Sequence, residues 1–285
     1  MNFIFLGFGP IASHFLKEHV APSLDNKALI VSKHTSGVIP NGATLINKPV
    51  DENFEDIDVV INSWKSLDSL NRGWEIEYLA SLARVPNSKI VFVNLSSVAV
   101  YGECKKPANE ETGPNPINEY GIKKLEFENF LKVIGMPNLL NLRISNVFGD
   151  SQFDDLINRI CNAITKGRSI KLFEPDKIFR DFIHIDRVAK HMQELLLRSD
   201  FRSGQYQIDM NVSSGYSLNL SEVIQLSENS LQRKLDFYTA LIEPGIILES
   251  RINNEKLLNL NGHEHFAVKD QIKAYLAQLD HLRFE

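Results

Sequence analysis

Asn2-Phe3-Ile4-Phe5-Leu6-Gly7-Phe8-Gly9-Pro10-Ile11-Ala12 opens the chain with an apolar run, two glycines and a proline. Asn2 to Leu6 reads as a buried strand, and Pro10, suited to a first helical turn, begins a helix running to His19. Between them lies a G-x-G-x-x-A turn. Gly7 permits the tight reversal, Gly9 lets backbone approach a pyrophosphate, and Ala12 allows helix to pack closely on strand. Pro10 and Ile11 then start the helix, so its first amides face the phosphates. Two glycines alone make a common surface turn. Their position at the first strand–helix junction gives them meaning.

The alternation continues beyond this unit. Ala28 to Ser32, Thr44 to Asn47, Asp58 to Asn62, Lys89 to Leu95 and Asn138 to Ile144 read as further strands. Leu67 to Arg84 carries Leu70, Trp74, Tyr78 and Leu82 at helical spacing, and Tyr120 to Ile134 is also helical. Strands alternating with helices predict an α/β fold with a doubly wound parallel sheet of Rossmann type over residues 1–149. From residue 150 to 285 the pattern becomes a smaller, mixed α/β lobe suited to substrate binding. Its candidate helices are Phe153 to Lys166, Asp186 to Arg198, Leu220 to Gln232 and Phe266 to Leu279. No Pro/Ser/Gly-rich linker separates the halves, which predicts an interleaved, tight junction.

The second strand ends in Ser32-Lys33-His34-Thr35, with no acid to hold a ribose 2′-hydroxyl. A hydroxyl and a cation there suit a 2′-phosphate and favour NADP over NAD; the alternative is a solvated loop with an incidental lysine.

Composition excludes several classes of function. The 285 residues are 43% hydrophobic and 24% charged, which is ordinary for a globular protein, and the net charge is −5. That balance gives no basic footprint for nucleic acid or an anionic membrane. No apolar stretch approaches the length of a bilayer span, and the N-terminal run lacks a basic flank. Cys104 and Cys161 have neither metal-ligand spacing nor a disulfide framework, so a cytoplasmic protein without a metal is expected.

Chemistry is suggested by Glu119-Tyr120-Gly121-Ile122-Lys123-Lys124. Residues four apart share a helix face, so Tyr120 can reach a cleft with Lys124 behind it. A neighbouring ammonium favours phenolate and lowers the phenol pKa, fitting Tyr120 for proton exchange with a sugar hydroxyl or ketone. Lys124 can also hold the nicotinamide ribose. Such a spacing alone is common on amphipathic helices. Upstream, however, Val93-Asn94-Leu95-Ser96-Ser97 places hydroxyls where a strand leaves the sheet, and Ser97 can hydrogen-bond the reacting oxygen.

The chain resembles the extended short-chain dehydrogenases/reductases, in their NAD-dependent epimerase/dehydratase branch. The matching blocks are Ser96-Ser97-Val98-Ala99-Val100-Tyr101-Gly102, then Pro107, Glu110, Pro116 and Tyr120 to Lys124. They continue with Leu142-Arg143-Ile144-Ser145-Asn146-Val147-Phe148-Gly149 and Arg180-Asp181-Phe182-Ile183-His184-Ile185-Asp186-Arg187-Val188-Ala189. The resemblance implies that Tyr120 is the general acid/base, with Ser97 and Lys124 beside it. It also implies that Asp51 meets the adenine, while Asn146 and Arg180 meet a substrate diphosphate. An internal Arg180–Asp181 ion pair is the alternative, and His184 is expected to be structural. The implied substrate is a nucleotide-activated sugar, as in surface polysaccharide or deoxysugar biosynthesis, and the helix carrying Tyr120 is one on which a homodimer can form.

Two departures stand out. The family's G-x-x-G-x-x-G positions read Leu6, Gly9 and Ala12 here, and its usual His-Leu-Ala-Ala after the fourth strand reads Asn62-Ser63-Trp64-Lys65. Trp64 therefore crowds the cofactor cleft or stacks on something in it. Val98-Ala99 stands where the family's 4,6-dehydratases carry Asp-Glu, and Cys104 is misplaced for a two-centre epimerase-reductase. Keto-sugar reduction or 4-epimerisation remains, with the NADP preference inclining to reduction. A non-catalytic protein that senses NAD(P) is the alternative, although such proteins typically lose the tyrosine or the lysine.

Overall fold

The computed structural model describes residues 1–23, 25–32, 39–40, 42–47, 56–64, 67, 73–85, 88–151, 153–202, 206–262 and 267–281. The first strand, β1 (Asn2–Leu6), leads through the glycine turn to α1 (Pro10–Phe15), whose chain continues as a wider π-helical turn, Leu16–Val20. Then come β2 (Lys27–Val31), β3 (Ala43–Ile46), β4 (Val59–Asn62), α2 (Trp74–Ala83), β5 (Val91–Ser97) and β6 (Cys104–Ala108). Next are α3 (Glu119–Val133), β7 (Leu139–Ile144), β8 (Asn146–Phe148), α4 (Leu156–Lys166), β9 (Ile170–Phe173), β10 (Phe179–His184) and α5 (Ile185–Leu197). The chain closes with β11 (Gln207–Val212), β12 (Ser217–Asn219), α6 (Leu220–Leu231), β13 (Phe237–Ala240), β14 (Glu249–Ile252), α7 (Glu255–Asn261) and α8 (Val268–His281).

A seven-stranded sheet runs β11-β7-β5-β4-β1-β2-β3, and β1 pairs parallel with both β2 and β4. Its central strands are buried along their whole length, as a sheet covered on both faces requires. Ile4, Leu6, Val60 and Phe92 pack with Leu79 and Leu82 of α2 and with Phe127 and Leu131 of α3. The doubly wound parallel sheet expected from the sequence is therefore present.

A second sheet runs β12-β10-β14-β6, with β8 also paired to β10, and β9 and β13 form a separate parallel pair. Ile157, Ile160 and Cys161 of α4 share a core with Val223 of α6 and with Ile272 and Leu276 of α8. α4 is started by Asp155, whose side chain accepts from the amide of Asn158, and α6 by a reciprocal capping box of Asn219 and Glu222.

The chain forms two compact units: residues Met1–Val100, Tyr120–Arg143 and Ala189–Met210, and residues Tyr101–Glu119, Ile144–Val188 and Asn211–Glu285. The chain passes between units at five places, of which Arg143/Ile144 is the nearest to the expected boundary at residue 149. Segments return because β11 belongs to the sheet built by β1 to β7, while β6 pairs with β14. Among the described residues no helix is long and apolar enough to cross a membrane.

Candidate active site

The strand order reverses at β1, which lies between β2 and β4. The crevice beyond the carboxyl ends of β1 and β4 is the ligand position of such a sheet. There Gly7 takes φ 76°, a left-handed conformation that favours glycine. Gly9 is the N-cap of α1 and has no side-chain cap, with Pro10 in the first turn. A Cβ on Gly9 would meet only Ser63 Oγ, at 4.0 Å, so backbone can be approached closely here. Ala12 is fully buried against the sheet, and Ile11 beside it is half-buried. This turn fits a dinucleotide pyrophosphate. Ser32 follows β2, its amide donating to the carbonyl of Ile46 at 3.1 Å. Lys33 and Asp51 lie outside the described residues.

Ser97 ends β5 and is nearly buried, its Oγ accepting from the amide of Ala99 at 3.2 Å. Tyr120 begins α3 and hydrogen-bonds Ser97. Tyr120 is 54% exposed. Shielding raises the phenol pKa above the ordinary tyrosine value, while the Ser97 hydrogen bond pulls it back. Lys124, one turn along, is buried and donates from Nζ to the carbonyl of Leu95 at 2.7 Å. The expected lowering of the Tyr120 pKa by Lys124 is thus reversed: the ammonium is aimed at β5, and desolvation dominates the phenol.

In the second unit, Asn146 of β8 donates from Nδ2 to the carbonyl of Asp181 at 2.9 Å. Arg180 donates through Nη1 to the carbonyls of Phe179 (2.9 Å) and Leu248 (3.1 Å), and through Nη2 to Ile247. Burial lowers its pKa to about 10, with Glu103 opposing, so it stays cationic at neutral pH. Asp181 is fully buried, its Oδ1 accepts from the amide of Ser214 at 2.9 Å, and burial raises its pKa to about 7. The alternative Arg180–Asp181 ion pair does not form, because adjacent strand residues face opposite sides. His184 packs edge-on against Phe148 at 5.2 Å, a structural contact. Among the described residues no cluster of His, Cys, Asp and Glu could hold a metal ion.

The model of the NAD dependent epimerase/dehydratase family matches residues 71–212. Over those residues the chain resembles that family. A Methanocaldococcus jannaschii protein provisionally named UDP-glucose 4-epimerase is 25% identical over 257 residues, covering 79% of this chain and 80% of that one. The dTDP-4-dehydro-6-deoxyglucose reductase of Escherichia coli is 28% identical over 153 residues, covering 51% and 46%. The structure of Bacillus cereus UDP-glucuronic acid 4-epimerase with UDP-glucuronic acid and NAD superposes with TM-score 0.79 at 18% identity, covering 98% of this chain and 100% of that one. At such identity the likeness is one of fold.

The chain also holds its candidate site with residues that sequence reasoning missed. Asn62 of β4 donates to Asn94 of β5, Asn94 to Asn141 of β7, and Asn141 to Asp209 of β11, at 2.8, 2.8 and 2.9 Å. Alongside, Ser96 donates to Glu128 of α3, and Arg143 pairs with Glu128 at 2.7 Å and with Asp209 at 2.8 Å. Burial alone would raise the Asp209 carboxyl, but Arg143 and Lys132 outweigh it and hold it below its ordinary range. Buried amides and charges are tolerable because each finds a partner. The signal was present: Asp58-Val59-Val60-Ile61-Asn62, Val91-Phe92-Val93-Asn94 and Leu139-Leu140-Asn141 each interrupt an apolar run with asparagine.

Proposed function

We propose that this chain is a nicotinamide-dependent oxidoreductase or epimerase acting on a nucleotide-activated sugar, by hydride transfer at one carbon. The observation carrying this reading is the Ser97–Tyr120 hydrogen bond, with Lys124 one turn along the same helix. A nicotinamide dinucleotide held at Gly7, Gly9 and Lys124 would supply the hydride acceptor or donor. Tyr120 Oη accepts the proton of the sugar hydroxyl as the carbon is oxidised, and returns it to the carbonyl oxygen on reduction. Ser97 orients that oxygen, and Lys124, anchored on the carbonyl of Leu95, is placed to hold the nicotinamide ribose. The relatives named as a UDP-glucose 4-epimerase and a keto-sugar reductase support this substrate class. A cytoplasmic setting goes with this reading, as does a homodimer built on α3.

The intact Ser97, Tyr120 and Lys124 favour catalysis over dinucleotide sensing. Turnover of UDP-, dTDP- and GDP-linked sugars and 4-keto-sugars tests this choice. Hydride transfer to any of them supports the enzyme; a protein that binds dinucleotide yet transfers no hydride to or from any sugar of a complete panel is a sensor. Calorimetric titration with NADPH and NADH is expected to show tighter NADPH binding, since the end of β2 has no acid to repel a 2′-phosphate. Support for NAD comes from the relatives whose structures hold it, and equal or tighter NADH binding would remove the NADP preference.

Arg180 and Asn146 are proposed to meet the substrate's diphosphate. Arg180→Lys is expected to weaken UDP or dTDP binding about tenfold while the fold persists, because lysine lacks the bidentate fork. Normal nucleotide binding with a lowered Tm would instead make Arg180 a brace across β10 and the chain before β14, through its bonds to Phe179, Ile247 and Leu248.

A further inference from the structure

We infer that Trp64 is a cofactor-contacting residue, whose indole forms an apolar wall beside the glycine turn for the adenosine-diphosphate half of the dinucleotide. The inference rests on the function proposed above and deepens it.

Because β1 and β4 pair with Leu6 opposite Asn62, their carboxyl ends deliver Gly7 and Ser63-Trp64 to the same point. The amide of Ser63 donates to the carbonyl of Leu6 at 2.8 Å. The hydroxyl of Ser63 donates to that carbonyl at 3.3 Å and accepts from the amide of Gly9 at 3.4 Å. The next residue is placed as firmly: the amide of Trp64 donates to Asn62 Oδ1 at 3.3 Å, and Asn62 is anchored by Asn94. The indole is thereby set against the face of Gly7. A Cβ added to Gly7 would lie 2.8 Å from Trp64 Cδ1 and 3.3 Å from Nε1. Behind it the ring is backed edge-to-face by Trp74, at 6.3 Å and 75°, and by the core beneath α2.

The indole is thus half-buried and wedged, with its remaining surface at the switch point of the sheet. Gly7 has a second reason to be glycine: any side chain would displace Trp64. A ligand reaching the amides of this turn must pass the ring. Gly7 to Ala12 is the pyrophosphate turn, so the part of the cofactor beside it is the adenosine diphosphate. A flat, backed aromatic surface gains affinity from ribose and base, as stacking of a base on an aromatic ring does elsewhere.

Calorimetric titration with NAD, NADP and ADP-ribose tests the inference on the folded full chain, with Tm recorded for every variant. Trp64→Ala is expected to weaken all three by about tenfold or more, and Trp64→Phe to restore most of the loss. Trp74→Phe, which alters only the backing ring, is expected to bind within about twofold of wild type. Trp64→Ala binding as tightly as wild type, or more tightly, overturns the inference while leaving the proposed function standing. A loss confined to the complete dinucleotides, with ADP-ribose unaffected, overturns the placement beside the adenosine diphosphate. A folded wild type that binds none of the three overturns the proposed function, and the inference with it.

Discussion

Replacing Tyr120 by Phe is expected to reduce turnover about 10²–10⁴-fold, with stability and dinucleotide affinity nearly unchanged. The substitution keeps the ring and removes one oxygen, the one bonded to Ser97. On the order of 3 to 5 kcal/mol of barrier is at stake. The shielded phenol is protonated across neutral pH, which suits proton donation to a carbonyl oxygen. Sugar oxidation, which needs the phenolate, should therefore accelerate as pH rises, and Tyr120→Phe should abolish that dependence. Lys124→Met should also lower turnover, and the two losses should not add, since the residues act together. The measurement is steady-state turnover of a validated sugar substrate from about pH 7 upward to about 10, the ordinary tyrosine value above which this phenol is raised. A Tyr120→Phe protein near the wild-type rate sinks the mechanism.

Replacing Arg143 by Met is expected to cost about 3–5 kcal/mol of stability, a larger effect than any surface substitution. The side chain of Arg143 is 3% exposed and that of Glu128 is 0% exposed, and the guanidinium stands between Glu128 and Asp209. Its removal leaves two carboxylates facing each other, Glu128 bonded to Ser96 and Asp209 to Asn141 and Lys132. Adding Glu128→Leu to Arg143→Met should recover much of the loss, because it removes the stranded charge, and buried ion pairs replaced by apolar groups are often neutral in cost. Urea unfolding at pH 7 measures both. An Arg143→Met midpoint indistinguishable from wild type would mean that this network contributes little. The same network ties Ser96, and hence the neighbouring Ser97, to the helix carrying Tyr120, so the variant should lose turnover before it loses fold.

Much of this protein was legible along the chain. The strands around Ile4, Ile30, Val60, Phe92 and Leu142 were visible as short apolar runs, and the helix bearing Tyr120 and Lys124 ran within a residue of its expected limits. β6 was not visible, because Lys105, Lys106 and Pro107 break its pattern; their side chains point to water at the edge of a sheet. β10 was seen as a family block without its strand character, since Arg180 and Asp181 disguise a run whose pairing with β8, β12 and β14 comes from distant segments.

The sequence by itself determined the alternation of strand and helix, the glycine turn at the first junction, and the spacing that puts Tyr120 and Lys124 on one helical face. Each of these follows from backbone geometry over a few neighbouring residues, so local order suffices. Only the tertiary structure decided that Asn62, Asn94 and Asn141 share one register, that Trp64 rests on Gly7, and that Lys124 turns to the carbonyl of Leu95. These depend on which strands lie side by side, and in a parallel sheet that is settled by crossovers spanning tens of residues, beyond the reach of any local pattern.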